Sequence, residues 1–99
     1  MNSVIQLDMP AVRAICERYG VQELRLFGSA LGPNFGANSD LDLLVEFRPS
    51  VHFGLIELLR LRDELQDVLG RPVDLVPRSG LKASIRENVL ANTELLYAA

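Results

Sequence analysis

The amino-acid sequence predicts an α/β (α+β) domain in which helices pack against a small mixed β-sheet. The 99 residues are 48% hydrophobic and 23% charged, which is a globular composition, and this length suits one domain spanning residues 1–99. Segments with helical periodicity alternate with short apolar runs in the order α-β-β-α-β-α. Glycine and proline residues separate many of these segments and mark turns. Together these observations exclude a disordered chain.

The first helix is predicted between Asp8 and Gly20. Aspartate is a favourable N-cap, and glycine commonly ends a helix. The apolar side chains between them recur at i, i+3, i+4 and i+7 and therefore share one face: Val12, Ile15, Cys16 and Tyr19. Cys16 is thus expected to be a buried apolar side chain rather than a reactive thiol.

The first strand is predicted at residues 21–27, where side chains of opposite character alternate. The alternation places Leu24 and Leu26 on one side of the strand and Val21 on the other. Residues 32–39 are rich in Gly, Pro, Asn and Ser, so they are expected to form a loop.

The second half of the chain is predicted to contain a long helix, a short strand and a C-terminal helix. Residues 53–69 carry apolar side chains at helical spacing, and Gly70 ends this helix. Residues 72–77 form an apolar strand sequence, and residues 81–91 have apolar side chains on one helical face. Residues 93–97 are expected to add a last helical turn.

The composition excludes several classes of function. The single cysteine excludes an intramolecular disulfide and a cysteine-ligated zinc site, and the single histidine, His52, excludes histidine-rich metal sites. The net charge of −3 argues against direct nucleic-acid binding as the main activity. No apolar run is long enough to cross a bilayer, and the N-terminus lacks the features of a signal peptide. A cytoplasmic location without membrane contact is therefore expected.

Three aspartates lie at strand positions where a charge is unfavourable. Asp40 and Asp42 open a second strand predicted at residues 40–47, and they should project together because residues i and i+2 share a face. Asp74 interrupts the apolar third strand. If the two strands are neighbours, three carboxylates meet at one point, where Mg²⁺ would offset their repulsion. Such a cluster could hold one or two Mg²⁺ ions and support a phosphoryl-type displacement.

A phosphate-binding turn is predicted directly after the first strand. Gly28 lets the backbone approach a phosphate closely, Ser29 adds a hydroxyl donor, and the N-terminus of a helix beginning there would attract anions. Taken singly, these features have simpler explanations: an ordinary strand-to-helix turn, a turn residue at Asp40 and a solvent-facing Asp42. Their combination with Asp74 favours a nucleotide and metal site.

The spacing of these residues resembles a known family. Within residues 26–29 and 39–45, Gly28-Ser29 is separated by ten residues from the Asp-x-Asp motif that begins at Asp40. Asp74 supplies a third aspartate on a later strand. This pattern resembles the minimal nucleotidyltransferases of the DNA polymerase beta-like superfamily, and the likeness covers nearly the whole chain.

The resemblance implies a Mg²⁺-dependent enzyme with ATP as its substrate. It implies that nucleotide is bound by Gly28, Ser29 and Ser39. It also implies that three catalytic residues ligate Mg²⁺, the last of them helping to activate the attacking hydroxyl: Asp40, Asp42 and Asp74.

The resemblance also implies a protein partner. Similar proteins are encoded beside HEPN-domain ribonucleases as type VII-like toxin–antitoxin pairs, in which the antitoxin adenylylates a tyrosine of the toxin. The implied function is therefore AMP transfer to a HEPN partner, within a homo- or hetero-oligomer. In one departure from the family pattern, residues 30–39 carry no charge, whereas relatives often have a basic residue there. This departure favours one alternative, a binding module that neutralises its partner by masking. A second alternative, a subunit of a small-molecule nucleotidyltransferase, also stays open.

Overall fold

The computed structural model describes residues 8–27, 40–81 and 91–99. Within these ranges the chain forms two α-helices, four strands and a short 3₁₀ turn at Arg78–Gly80. In chain order the elements are α1 (Met9–Tyr19), β1 (Val21–Phe27), β2 (Leu41–Phe47), α2 (Leu55–Leu69), β3 (Val73–Pro77) and β4 (Glu94–Ala98).

The four strands form one mixed sheet in the order β3-β2-β1-β4. Strand β1 pairs antiparallel with β2 and with β4, whereas β2 and β3 are parallel. Parallel neighbours need a crossover connection, and α2 provides it between β2 and β3. The predicted class, a mixed sheet with helices packed against it, is confirmed.

The caps of both helices follow from the sequence. The Asp8 carboxylate accepts a hydrogen bond from the backbone N–H of Ala11 at 3.3 Å, as predicted for the start of α1. Helix α2 begins at Leu55, two residues later than predicted, because Gly54 is its N-cap. The backbone N–H of Gly54 donates to the Glu57 carboxylate at 2.7 Å, which closes the first turn.

The prediction of a helical turn at residues 93–97 is wrong, because this segment belongs to strand β4. Leu24 of β1 is the register partner of Tyr97, whose side chain is buried. The backbone N–H of Ala99 also donates to the carbonyl of Gln22 at 2.9 Å. Pairing with the free edge of β1 satisfies backbone groups that a single helical turn would leave open. Residues 82–90, which carry most of the predicted C-terminal helix, lie outside the described residues.

The hydrophobic core lies between one face of the sheet and the two helices. It is almost entirely aliphatic: Val12, Ile15, Cys16, Val21, Leu24, Leu26, Leu41, Leu43, Val45, Leu61, Leu65, Val73, Leu75 and Tyr97. Val21 belongs to this core although simple alternation placed it on the other side. A register shift between Val21 and Glu23 turns its side chain inward.

A polar cluster ties the two helices together at the surface. The Glu64 carboxylate of α2 accepts hydrogen bonds from the Tyr19 hydroxyl and, at 2.6 Å, from the Arg18 guanidinium of α1. The hydrogen bond to Glu64 raises the pKa of Tyr19 above its ordinary value and, in return, lowers the pKa of Glu64. Over the described ranges, neither helix has the length and apolar character needed to cross a membrane.

Candidate active site

Asp42 and Asp74, two of the three aspartates predicted to be catalytic, lie on the face of the sheet opposite the core that α1 and α2 cover. Asp42 alternates with the buried Leu41 and Leu43, so its side chain leaves β2 on the face opposite the core. In β3, Asp74 alternates in the same way with Val73 and Leu75. Both carboxylates therefore occupy the same face.

The parallel register of β2 and β3 places these two residues side by side. Asp42 is the register partner of Asp74, and neighbouring strands lie about 4.8 Å apart. The backbone N–H of Leu41 donates to the carbonyl of Pro72 at 2.9 Å, which aligns the starts of the two strands. The condition stated from the sequence, that the third strand lies beside the Asp-x-Asp strand, is therefore met.

Asp40 lies immediately before β2 rather than within it, and its side chain is exposed. Asp42 is half-buried and Asp74 is exposed. Within the described residues, no three His, Cys, Asp or Glu side chains are close enough to hold a metal ion together. The structure thus brings Asp42 and Asp74 together, and the site of three carboxylates stays a prediction.

The predicted phosphate-binding residues Gly28, Ser29 and Ser39 lie outside the described residues. Strand β1, which precedes Gly28, lies within the described residues. Phe27, the last residue of β1, is the register partner of Asp42. The chain therefore leaves β1 at the same level of the sheet as the two aspartates.

Farther along the sheet from Asp42, charged side chains form ion pairs on the same face. Arg25 contacts Glu23 at 2.9 Å and donates a hydrogen bond to the Thr93 hydroxyl at 3.2 Å. Arg78 contacts Glu46 at 3.0 Å. Sequence reasoning did not single out Arg25 or Thr93. The alternation of β1 places Arg25 on the site face, but its partner Thr93 depends on β4, which the local sequence did not reveal.

A groove of about 570 Å³ lies at the other end of β2 and does not contain the aspartates. Its lining includes Phe47, Phe53, Arg48 and Ser79, and the two phenylalanine rings stack with their centroids 4.1 Å apart. Phe47 is five positions along β2 from Asp42, which corresponds to about 17 Å. The groove and the carboxylate pair are therefore separate features.

Asp42 and Asp74 supply two of the carboxylates that a divalent cation site would need. Two carboxylates on one face repel each other and supply the hard oxygen ligands that Mg²⁺ prefers. Asp42 and Asp74 would hold such an ion, and Asp40, two residues before Asp42, is the next available carboxylate. The oxygen ligands of Asp42 and Asp74 match in kind those of the metal that the sequence pattern implies, and a third protein ligand stays a prediction.

Comparison with known proteins agrees with this fold and motif. The family model described as a nucleotidyltransferase domain matches residues 10–96. A protein adenylyltransferase from Thermococcus cleftensis, MntA, is 41% identical over 83 residues, covering 82% of this chain and 78% of that protein. The solved structure of a protein described as a minimal nucleotidyltransferase is 38% identical with a TM-score of 0.72, covering 86% of this chain and 85% of that one.

A more distant structure shares the fold alone. It is the Shewanella oneidensis complex of a tri-AMPylated HEPN toxin with its MNT antitoxin, with 20% identity and a TM-score of 0.63. The match covers 87% of this chain and 66% of that one.

With the match over residues 10–96 and the relatives above, this chain belongs to the nucleotidyltransferase domain family and is a minimal nucleotidyltransferase.

Proposed function

We propose that this enzyme transfers AMP from ATP to a tyrosine hydroxyl of a HEPN-family toxin and acts as the antitoxin of that toxin. The observation that carries the proposal is the register of Asp42 with Asp74 on the face of the sheet opposite the core. Two further findings support it: the relative named as a protein adenylyltransferase, and the shared fold with the antitoxin bound to an AMPylated HEPN toxin.

In the proposed reaction the acceptor oxygen attacks the α-phosphorus of ATP, the bond between the α- and β-phosphates breaks, and pyrophosphate leaves. Asp42 and Asp74, together with Asp40, would hold one or two Mg²⁺ ions. When bound, Mg²⁺ neutralises charge on the phosphates and lowers the pKa of an attacking hydroxyl. Asp74 is exposed and accepts a hydrogen bond from the incoming acceptor, whose proton it draws away.

The nucleotide phosphates are assigned to the segment between β1 and β2. Gly28 and Ser29 would contact them directly after β1, and Ser39 would contact them just before the Asp-x-Asp pair. The support for this assignment is the order of the motif and the end of β1 at Phe27, opposite Asp42. The uncharged stretch 30–39 means that these contacts rely on backbone N–H groups and hydroxyls rather than on a basic side chain.

The same uncharged stretch favours a second candidate function, in which the chain neutralises its partner by masking and transfers nothing. The two functions differ in what the aspartates do. Under masking, Asp42→Asn leaves neutralisation of the toxin intact. Under AMP transfer, it abolishes neutralisation even though the two proteins still bind.

The test uses ATP labelled at the α- or the γ-phosphate, incubated with Mg²⁺, this chain and the HEPN-family toxin of the same organism. Label from the α-phosphate alone should become attached to the toxin, because AMP rather than a terminal phosphate is transferred. Asp42→Asn and Asp74→Asn should each abolish labelling. Glu17→Gln, which makes the same carboxylate-to-amide change on the exposed side of α1, should leave it unchanged. Full labelling by Asp42→Asn would refute the assignment of the site.

A further inference from the structure

The groove of about 570 Å³ lies beyond the end of β3, at the end of the sheet away from the aspartates. The parallel pairing of β2 with β3 ends at Val45 and Pro77, but β2 continues to Phe47. The chain leaves β3 through the 3₁₀ turn Arg78–Gly80. The groove therefore occupies the position beside Phe47 that a longer β3 would fill.

Backbone hydrogen bonding along this edge of β2 stops before Phe47. The N–H of Leu41 donates to the carbonyl of Pro72, so every second residue from Leu41 to Phe47 directs its N–H toward the β3 side. The next carbonyl in line, that of Arg78, accepts instead from the N–H of Leu81 at 3.1 Å. Among the described residues, the Phe47 N–H thus has no backbone acceptor, and such a donor favours a ligand that supplies one.

The side chains around the groove combine an apolar surface with positive charge. The rings of Phe47 and Phe53 stack, and Phe53 is 36% exposed. The guanidinium of Arg78 is paired with Glu46, whereas Arg48 has no ion pair or side-chain hydrogen bond with any described residue. The groove thus complements a carboxylate that is flanked by an apolar side chain.

The wall that carries Arg48 is held in place by the turn between α1 and β1. The backbone N–H of Arg48 donates to the carbonyl of Gly20 at 2.9 Å, and the N–H of Val51 donates to the carbonyl of Arg48 at 2.9 Å. Val51 packs closely on Gly20, since a Cβ there would lie 2.5 Å from a methyl carbon of Val51. A ligand therefore meets a groove whose backbone is already ordered, which lowers the cost of binding.

We propose that this groove docks an extended, acidic segment of the protein that accepts AMP. A backbone carbonyl of the segment accepts a hydrogen bond from the Phe47 N–H, a carboxylate pairs with Arg48, and an adjacent apolar side chain packs on Phe53. This is a short strand addition at an open edge of the sheet, in which backbone hydrogen bonds provide affinity and side-chain contacts provide specificity.

The position of the groove selects the acceptor protein as the source of this segment. Glu46, which lines the groove with Arg78, lies four positions after Asp42 and shares its face of the sheet. Phe47 is about 17 Å from Asp42, a distance that about five residues of extended chain span. One protein can therefore occupy the groove and present a tyrosine to the aspartates at the same time. The choice of partner rests on the proposed function, whereas the chemistry of the groove does not.

The first test measures binding without nucleotide. The full 99-residue chain is titrated calorimetrically with the HEPN-family toxin of the same organism. Arg48→Ala should raise the Kd about tenfold, because it removes a charged hydrogen-bonding partner, and Arg48→Lys should raise it less. Arg13→Ala is the matched control, since Arg13 of α1 is also exposed and has no ion pair with any described residue. It should leave the Kd unchanged.

The second test follows the groove itself in the complex. Exchange of the Phe47 amide proton with solvent, measured by NMR, should slow when the toxin binds. Phe53→Ala should raise the Kd for the toxin several-fold while the circular dichroism spectrum stays unchanged. Leu95→Ala, the same kind of truncation at an exposed residue of β4, should have no effect on binding.

The third test separates docking from chemistry. With labelled ATP, Arg48→Ala should raise the KM for the toxin about tenfold and leave kcat unchanged, because the groove is about 17 Å from Asp42. Asp42→Asn should abolish transfer and leave the Kd for the toxin unchanged. If no AMP is transferred by the wild type but Arg48→Ala still weakens binding, the proposed function fails and the docking groove stands.

Four results would overturn the proposal. The first is a wild type that does not bind the toxin, and the second is an equal Kd for the wild type and Arg48→Ala. The third is an equal loss of binding in Arg48→Ala and Arg13→Ala, which would indicate general attraction by positive charge. The fourth is a Phe47 amide whose exchange rate does not change in the complex. A self-association of this chain that Arg48→Ala abolishes, with toxin binding intact, would assign the groove to a second copy instead.

Discussion

Replacing Asp74 with asparagine should stabilise the metal-free protein while abolishing AMP transfer. Asp42 and Asp74 are register partners on one face of the sheet, and like charges placed directly opposite each other destabilise a sheet. At the strand spacing of about 5 Å, and in surroundings close to water, two unit charges repel each other by ~1 kcal/mol. Asparagine keeps the shape and removes the charge, so the free energy of unfolding should rise by about this amount.

The assay is thermal unfolding followed by circular dichroism, in low salt with a chelator and then with Mg²⁺. For a domain of this size, ~1 kcal/mol corresponds to a gain in Tm of about 4–8 °C for Asp74→Asn without metal. Mg²⁺ at ten times its Kd should stabilise the wild type by about 1.4 kcal/mol, and the variant by much less. High NaCl should shrink the metal-free difference, because it screens exposed charges.

The control is Glu17→Gln, which removes a carboxylate from the exposed side of α1 and should change neither the Tm nor the response to Mg²⁺. The reasoning fails if Asp74→Asn lowers the Tm in chelator. It also fails if the variant and the wild type gain the same stability from Mg²⁺, since the ion would then bind elsewhere.

Three further predictions concern the fold. Burial raises the pKa of the Cys16 thiol from the ordinary value of 9.0 to about 12. At pH 8 its alkylation should therefore be slower by about three orders of magnitude than that of a cysteine with the ordinary pKa. Unfolding in urea should abolish this difference in rate. Gly20 and Gly70 both have positive φ, but a Cβ on Gly20 would lie 2.5 Å from a methyl carbon of Val51, whereas one on Gly70 meets nothing within 4 Å. Gly70→Ala should therefore cost about 1 kcal/mol in urea unfolding and Gly20→Ala clearly more; equal costs would contradict the contact with Val51. Leu65→Ala should cost about 3 kcal/mol in the same experiment, and a cost below about 1 kcal/mol would contradict its burial in the core.

The sequence predicted that the two carboxylates lie on strands and leave the core face. It did not predict that Asp42 and Asp74 are register partners. Asp42 and Asp74 each interrupt an apolar strand, which shows that their side chains leave the core face. Which strands are neighbours, and which residues are level, depends on how α2 packs between them. The register that resulted, Asp42 with Asp74, is a property of the folded sheet.

Strand β4 and the inward orientation of Val21 could not be predicted from the local sequence, because both depend on pairing with another strand. Leu95 and Leu96 suit a helix as well as a strand, and the free edge of β1 decides between them. The irregular pairing between Val21 and Glu23 likewise depends on the partner strand. Gly28, Ser29 and Ser39 were predicted from a motif, and their roles stay predictions.

The connection from β2 through α2 to β3 has a consequence for how the enzyme acquires its activity during synthesis. The two facing aspartates are 32 positions apart in the chain, and nothing holds them level until the intervening helix has packed and β3 has joined the sheet. A nascent chain that ends before Val73 carries the Asp-x-Asp pair but not its partner. The proposed metal site should therefore form only when the parallel pair is complete, and a chain that ends before Val73 should show no AMP transfer.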